Sequence, residues 1–267
     1  MSETVSQKEW RTAITSNQDG KILIRGYNLD SLIGNKSYAE VCFLLLKGEL
    51  PNQNEAKMLD AIFVSCIDAG IAAPSSVAAR TVFSGGNSLN AAVAAGVLTL
   101  GDAHGGAIEK AAKMFQDYLK GKDGLKESEI KDMAANIVDD ALKNKKRLAG
   151  YGHKLHTVDP RTKRLLEVAE DLNFGGDFIK LAVYIADEFK VKKPEQKLPL
   201  NVDGCIAAII SDMGFDYRLG KGFFIIARSA GLVGQVFEEW MREKPFRRLA
   251  ANLHEYDGVP ERELKKQ

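Results

Sequence analysis

Residues 87–102 read NSLNAAVAAGVLTLGD, a run of alanine and aliphatic side chains whose one charge, Asp102, comes at its end. It is too long for an ordinary strand and shows no period-two alternation. Apolar on most faces, it predicts a helix over 88–101 that is buried on all sides. The sequence on either side of it is also helical in pattern. Upstream, Ser37 followed by Glu40 predicts a capping box for AEVCFLLLKGELP (39–51), which Gly48 and Pro51 end. Asn54 is placed to cap EAKMLDAIFVSCIDAG (55–70), and Ser75 to open SSVAARTVFSGG (75–86). Downstream, GAIEKAAKMFQDYLK (106–120), SEIKDMAANIVDDALKNKK (128–146), PRTKRLLEVAEDLN (160–173), GDFIKLAVYIADEFKV (176–191), CIAAIISDMG (205–214) and GFFIIARSAGLVGQVFEEWMRE (222–243) follow. KILIRGY, around Ile22, is the best strand candidate, as a short hairpin or an edge. The expected fold class is all-α.

The composition narrows the function classes. A hydrophobic share of 45% and a charged share of 27% are those of a globular protein, and 267 residues suffice for a sizeable core. Thirty-seven basic residues against 36 acidic ones leave a net charge of +1, which argues against a nucleic-acid or membrane-surface partner. Any bound anion must meet cations placed locally. Cys42, Cys66 and Cys205 are odd in number and lack a CxxC spacing, so buried free thiols are expected rather than disulfides or a zinc site. The start, MSETVSQKEW, has no apolar signal core, and no stretch approaches a membrane span, so a cytoplasmic location is expected.

Four histidines are present, and two of them, His104 in GDAHGG and His153 in GYGHK, stand in glycine-flanked turns. Glycine lets backbone approach a ligand, and a loop imidazole is free to project. Either histidine alone reads as structural sooner than as catalytic; the two together with the NVDG carboxylate shift that balance. His104 precedes a helix starting near Gly106, whose N-terminal dipole disfavours an imidazolium and leaves a neutral N–H donor for an oxyanion. Asp203, in LPLNVDG, reads either as the N-cap of the following helix or as a general acid or base. Arg228 lies in the apolar run FFIIARSAGLVGQ, where it needs a bound anion or an internal ion pair. Arg161 follows Asp159 and Pro160 at a helix start, and Arg247 with Arg248 forms a pair that solvent or a carboxylate ligand could take up. The run KNKKR (143–147) reads as a solvated helix end leading into a glycine-rich loop. No Walker, GxGxxG, HExxH or GxSxG motif occurs.

Together these segments resemble the citrate synthase superfamily, and in particular its compact citryl-CoA lyases and the citryl-CoA lyase module of ATP citrate lyase. IRGYNLDSLIGNKSYAEVCFLLLKGELP, GDAHGGAIEKAAKMF, GYGHKLHTVDPR, LNVDG and ARSAGLVGQVFEEW occur in family order. The resemblance implies a two-lobed helical fold, with a large lobe of 1–107 and 219–267 and a small lobe of 108–218. It implies catalysis by His104, His153 and Asp203: a thioester enolate held by His104, the citryl hydroxyl held by His153, and a proton moved at the acetyl carbon by Asp203. Arg161, Arg228 and Arg247 are implied as carboxylate clamps, Arg247 being donated by a partner subunit. Coenzyme A would lie on Arg147, Leu148, Ala149, Gly150, Gly152 and Lys154. The implied partners are a CoA thioester and an oxo acid, in a homodimer or higher homo-oligomer, with no permanent cofactor and no metal. The implied reaction is citryl-CoA cleavage to acetyl-CoA and oxaloacetate. The alternatives are citrate or methylcitrate synthase and a non-catalytic CoA-ester-binding subunit. Two departures bear on the substrate: Ala69 follows Asp68 where the family commonly has histidine, and His156 stands in a KLHTV segment one residue shorter than in longer synthases.

Overall fold

The computed structural model describes residues 10–18, 20–122, 124–152, 159–196 and 198–264. Strands β1 (Thr15–Gln18), β2 (Lys21–Ile24) and β3 (Tyr27–Asn28) form one small antiparallel sheet in the order β1-β2-β3, with Asn17 opposite Ile22 and Ile24 opposite Tyr27. The remaining regular structure is helical: α1 (Leu29–Leu32), α2 (Tyr38–Lys47), α3 (Gln53–Cys66), α4 (Pro74–Ser84), α5 (Leu89–Leu98), α6 (Ala107–Leu119), α7 (Glu127–Lys143), α8 (Pro160–Asp171), α9 (Asp177–Lys192), α10 (Val202–Asp212) and α11 (Gly220–Arg242). The fold is all-α, and among the described residues no helix is long and apolar enough to cross a membrane.

Several helix boundaries follow local rules. Ser37 and Glu40 form the expected capping box of α2, and Gly48 ends it in the left-handed region at φ 93°. The box of α3 lies two residues earlier than expected, on Asn52 and Glu55, while the Asn54 amide donates to the Leu172 carbonyl at 3.1 Å. Helix α4 opens on Pro74, whose fixed φ suits the first helical position, rather than on Ser75, which is buried.

The chain divides into two compact units, residues 1–68 with 100–230, and 69–99 with 231–267. The lobe boundaries expected at 107/108 and 218/219 both fall inside the first unit. That unit is built round α10. Val202 and Gly204 through Ser211 are all buried, leaving Asp203 as the partly exposed residue near its start. Helices α6, α8 and α9 pack on α10, and α7 packs behind α9. Burying Ile206, Ile209 and Ile210 contributes about 1.5–3 kcal/mol each. At its far end Asp212 accepts hydrogen bonds from the Phe178 and Ile179 N–H groups at 3.1 and 3.0 Å, capping α9 from outside. Burial pushes this carboxyl up to about 6, against the pull of those two N–H groups.

The second unit corrects the expectation for residues 88–101. Helix α5 buries only Ala92 and Gly96 within the chain, and Leu98 is 85% exposed. Gly96 is required there, since a Cβ would stand 2.9 Å from both the Leu232 side chain and the Ser75 carbonyl. Ala79, Ala92, Leu232 and Val236 make the small core. Beside it Arg80, 4% exposed, donates to Glu239 at 2.7 Å and to Glu238 and Gln235 at 2.9 Å.

All three cysteines are buried free thiols. Burial pushes Cys66 up to about 11 and Cys205 to about 12, and it raises Cys42 as well. A disulfide-exchange reagent attacks only an accessible thiolate. Titration of the native protein at pH 8 should therefore detect no fast-reacting thiol, and denaturation in guanidinium should release all three; one fast thiol in the native state would contradict this core.

Candidate active site

Asp203 is not the N-cap of its helix, as one reading of the sequence had it. Asn201 takes that role, accepting from the Gly204 N–H at 3.1 Å, so Asp203 stands inside the first turn with its carboxylate free of capping duty. Asn201 also fastens the preceding loop: its amide donates to the Gly152 carbonyl at 3.0 Å, and its own N–H donates to the Gly150 carbonyl at 3.0 Å. Gly152 N–H donates to Pro199, and Tyr151 bridges to Leu200. Residues 150–152 are thereby stitched to the start of α10. The stitch needs glycine on both sides. Gly150 sits at φ 88°, and a Cβ on Gly204 would lie 2.5 Å from the Gly150 carbonyl oxygen.

Helix α8 supplies the next groups. Asp159 caps it by accepting from the Arg161 N–H at 3.0 Å, with Pro160 at the first helical position. The same carboxylate accepts from Arg161 Nε at 3.1 Å and Nη2 at 2.9 Å. Burial works to raise this carboxyl, but the Arg161 contacts and the Val202 N–H hold it below the usual carboxylate range.

Helix α11 supplies Arg228, 1% exposed, whose Nε donates to the Cys66 carbonyl at 3.1 Å. Its guanidinium carbon lies 4.7 Å from the centre of the Phe224 ring, one helical turn earlier. The same ring meets the His104 imidazole edge to face at 5.9 Å. Gly105, at φ 82°, makes room for it, since a Cβ there would stand 2.7 Å from a Phe224 ring carbon.

The electrostatics tie these groups together. Burial pushes the Asp203 carboxyl above its ordinary value; Arg161 pulls it back, Asp159 pushes it further, Arg228 pulls it back, and burial prevails. Burial lowers the half-buried His104, and the Arg228 charge lowers it again, so the imidazole is held neutral. The sequence expectation of a neutral His104 rested on a helix dipole; burial and Arg228 push in the same direction. The structure thus gathers Asp203, Arg161, Arg228 and His104 in the first unit, with the carbonyl and thiol of Cys66 beside them. Arg247 belongs to the second unit, where Glu239 accepts from its Nε at 3.0 Å and its Nη2 at 2.5 Å. His153, Lys154 and His156 lie outside the described residues. Among the described residues no group of His, Cys, Asp and Glu is arranged to hold a metal ion.

A cavity of about 760 Å³ opens beside the stitched loop, lined among others by Lys145, Lys146, Arg147, Leu148, Gly152 and Lys193. It includes Arg147, Leu148 and Gly152 of the expected nucleotide contacts, whereas Ala149 and Gly150 are not among its lining residues. Lys145, Lys146 and Lys193 join it from the end of α7 and the end of α9. Sequence reasoning passed over Lys193 and Phe224, which only the fold sets beside the motif residues, and over Asn201, whose capping role inside LNVDG it offered to Asp203. Asp159 carries a local signal, an Asp-Pro pair at a helix start, but its effect on Asp203 has none.

The family model for the citrate synthase C-terminal domain matches residues 3–57 and 51–249. This chain belongs to the citrate synthase family. Within the family it is similar to the solved citryl-CoA lyase from Hydrogenobacter thermophilus, at 50% identity and a TM-score of 0.88, over 97% of this chain and 98% of that one. An ATP citrate lyase of Methanosaeta concilii, solved in complex with (3S)-citryl-CoA, is 25% identical with a TM-score of 0.78, over 95% of this chain and 42% of that one. The citrate synthase of Haloferax volcanii is 31% identical over 217 residues, which are 80% of this chain and 54% of that protein. The chain thus spans about half the length of that curated relative.

The Gly150–Gly204 crossing gives a direct test of this citrate synthase family site. Gly204→Ala forces the Gly150 carbonyl away and should cost about 1–3 kcal/mol of stability. Denaturant titration measures it, and an unchanged midpoint would show that the loop can be displaced without cost.

Proposed function

We propose that the protein is a citryl-CoA lyase, cleaving citryl-CoA to acetyl-CoA and oxaloacetate. The observation that carries this reading is the 50% identity to a citryl-CoA lyase along essentially the full length of both chains. The groups gathered in the first unit suit the chemistry. Arg161 and Arg228 are planar donors for substrate carboxylates. His153 takes the proton of the tertiary hydroxyl as the carbon–carbon bond breaks and the hydroxyl carbon becomes the oxaloacetate carbonyl. The electron pair passes to the thioester enolate, whose oxygen accepts a hydrogen bond from neutral His104. Asp203 delivers its proton to the acetyl carbon. Coenzyme A occupies the cavity beside Arg147, with Ala149, Gly150 and Lys154 completing its contacts. Arg247 enters as the arginine donated by a second subunit, where a substrate carboxylate must compete with Glu239.

The partner is a second copy of this chain. Leu89 and Leu98 on α5, and Val233, Phe237, Trp240 and Met241 on the second half of α11, are all exposed. Such apolar side chains on small-residue helices favour close helix packing between copies. Phe237→Glu should convert a dimer to monomer by light scattering; a wild-type monomer at micromolar concentration would overturn the assembly.

The activity is tested by mixing the protein with citryl-CoA and following oxaloacetate with malate dehydrogenase. Rapid oxaloacetate release is expected, and Asp203→Asn should lower it ~10²–10⁴-fold by removing the proton donor. The pH sign follows from the raised Asp203 carboxyl: the protonated acid prevails below its folded value, so cleavage falls as pH rises through it. The Haloferax volcanii relative supports a second reading, citrate synthase, for which free CoA would appear from acetyl-CoA and oxaloacetate. Absence of both activities would leave a CoA-ester-binding subunit.

A further inference from the structure

We propose that Asp159 is a positioning residue of this site: its buried carboxylate locks the Arg161 guanidinium at the start of α8, and so sets the charges that face Asp203. The side chain is 1% exposed and sits where two helix starts meet. Toward α8 it accepts from the Arg161 N–H at 3.0 Å, Nε at 3.1 Å and Nη2 at 2.9 Å. Toward α10, on which α8 packs, the N–H of Val202, the residue before Asp203, adds a small pull that favours the ionised carboxylate. One carboxylate therefore fixes two things together: where α8 begins and which rotamer Arg161 adopts. The bidentate contact matters because a guanidinium held through two nitrogens cannot swing while it remains paired. Arg161 stays 38% exposed by side chain, leaving part of its fork available to a ligand.

The same contacts give Asp159 leverage over proton transfer. The charged or titratable groups that act on Asp203, among the described residues, are Asp159 and Arg161 from α8, Arg228 from α11 and Cys66 at the end of α3. Of these, Asp159 is the carboxylate that raises Asp203, and by neutralising Arg161 it also weakens that cation's opposing pull. Removing its charge, as in Asp159→Asn, leaves Asp203 facing two arginines without the carboxylate that pairs Arg161. The Asp203 proton should then leave at lower pH.

The part Asp159 plays in turnover rests on the lyase reading, while its hold on Arg161 does not. Two measurements separate the two. In the citryl-CoA assay, Asp159→Asn should move the falling limb of the pH profile to lower pH by about one unit and reduce kcat at neutral pH. A purely structural role would scale the rate equally at every pH and leave the limb in place, which would overturn the proposal. The second measurement needs no turnover. Carboxyl-carbon NMR titration of protein labelled with [¹³Cγ]Asp, with the Asp203 signal assigned through Asp203→Asn, should show the same downward displacement in Asp159→Asn. An unmoved Asp203 titration overturns the proposal even if wild type proves to cleave no citryl-CoA. Should Asp159→Asn fail to fold, Asp159→Glu keeps the charge but displaces it by one methylene. It should raise KM for citryl-CoA through a misaligned Arg161 while holding the pH limb; unchanged KM would count against the positioning role.

Discussion

A carboxylate standing on the first turn of an otherwise buried helix sets the terms for the whole first unit. Helix α10 excludes water along its length, so Asp203 loses solvation without leaving the surface altogether. Such a group must be neutralised, paired or protonated. The structure answers with a balance of charges: Arg161 and Arg228 favour the anion, while burial and Asp159 favour the acid. None of these groups lies near another in sequence except within the DPR segment. The packing of α8, α10 and α11 is what brings their charges to bear on one carboxyl.

The second unit solves a similar problem without leaving anything undecided. Arg80 and Glu239, at 4% and 2% exposure, are matched by Glu238, Gln235 and Arg247, so the buried charges there are bonded on several sides. Breaking a buried pair by removing one partner costs about 3–5 kcal/mol. The contrast between the units is chemical. In one, opposite charges meet in geometries that satisfy each other; in the other, the carboxyl keeps a raised affinity for its proton.

Much of this was legible in the sequence where the rule is local. Ser37 with Glu40, Gly48, and Pro160 after Asp159 each announce a helix boundary through backbone geometry that three or four residues determine. The all-α class followed from the same periodicities. What was misread depends on packing at a distance. An alanine-rich helix and CIAAIISDMG look equally buried by composition, yet α10 lies at the centre of its unit and α5 leaves Leu98 exposed. Asp203 passes for an N-cap until Asn201 is seen to hold the Gly204 N–H. The sequence around Arg247 likewise shows no sign of the bond it makes to Glu239, eight residues back. Motif order pointed to His104, Asp203, Arg161 and Arg228, but it carried no trace of Phe224 between two of them or of the Asp159 charge acting on Asp203.

The lysines and arginine at the end of α7 have a kinetic meaning in a chain whose net charge is only +1. Such a molecule casts almost no long-range field, and at physiological ionic strength a charge is screened beyond about 8 Å. A polyanion therefore diffuses toward this surface unguided and meets attraction only within a few ångströms of Lys145, Lys146, Arg147 and Lys193. Capture then depends on how well an arriving anion matches the spacing of those four cations rather than on how much charge it carries. Selectivity arises at contact, and added salt should slow the approach far less than it would for a strongly basic protein.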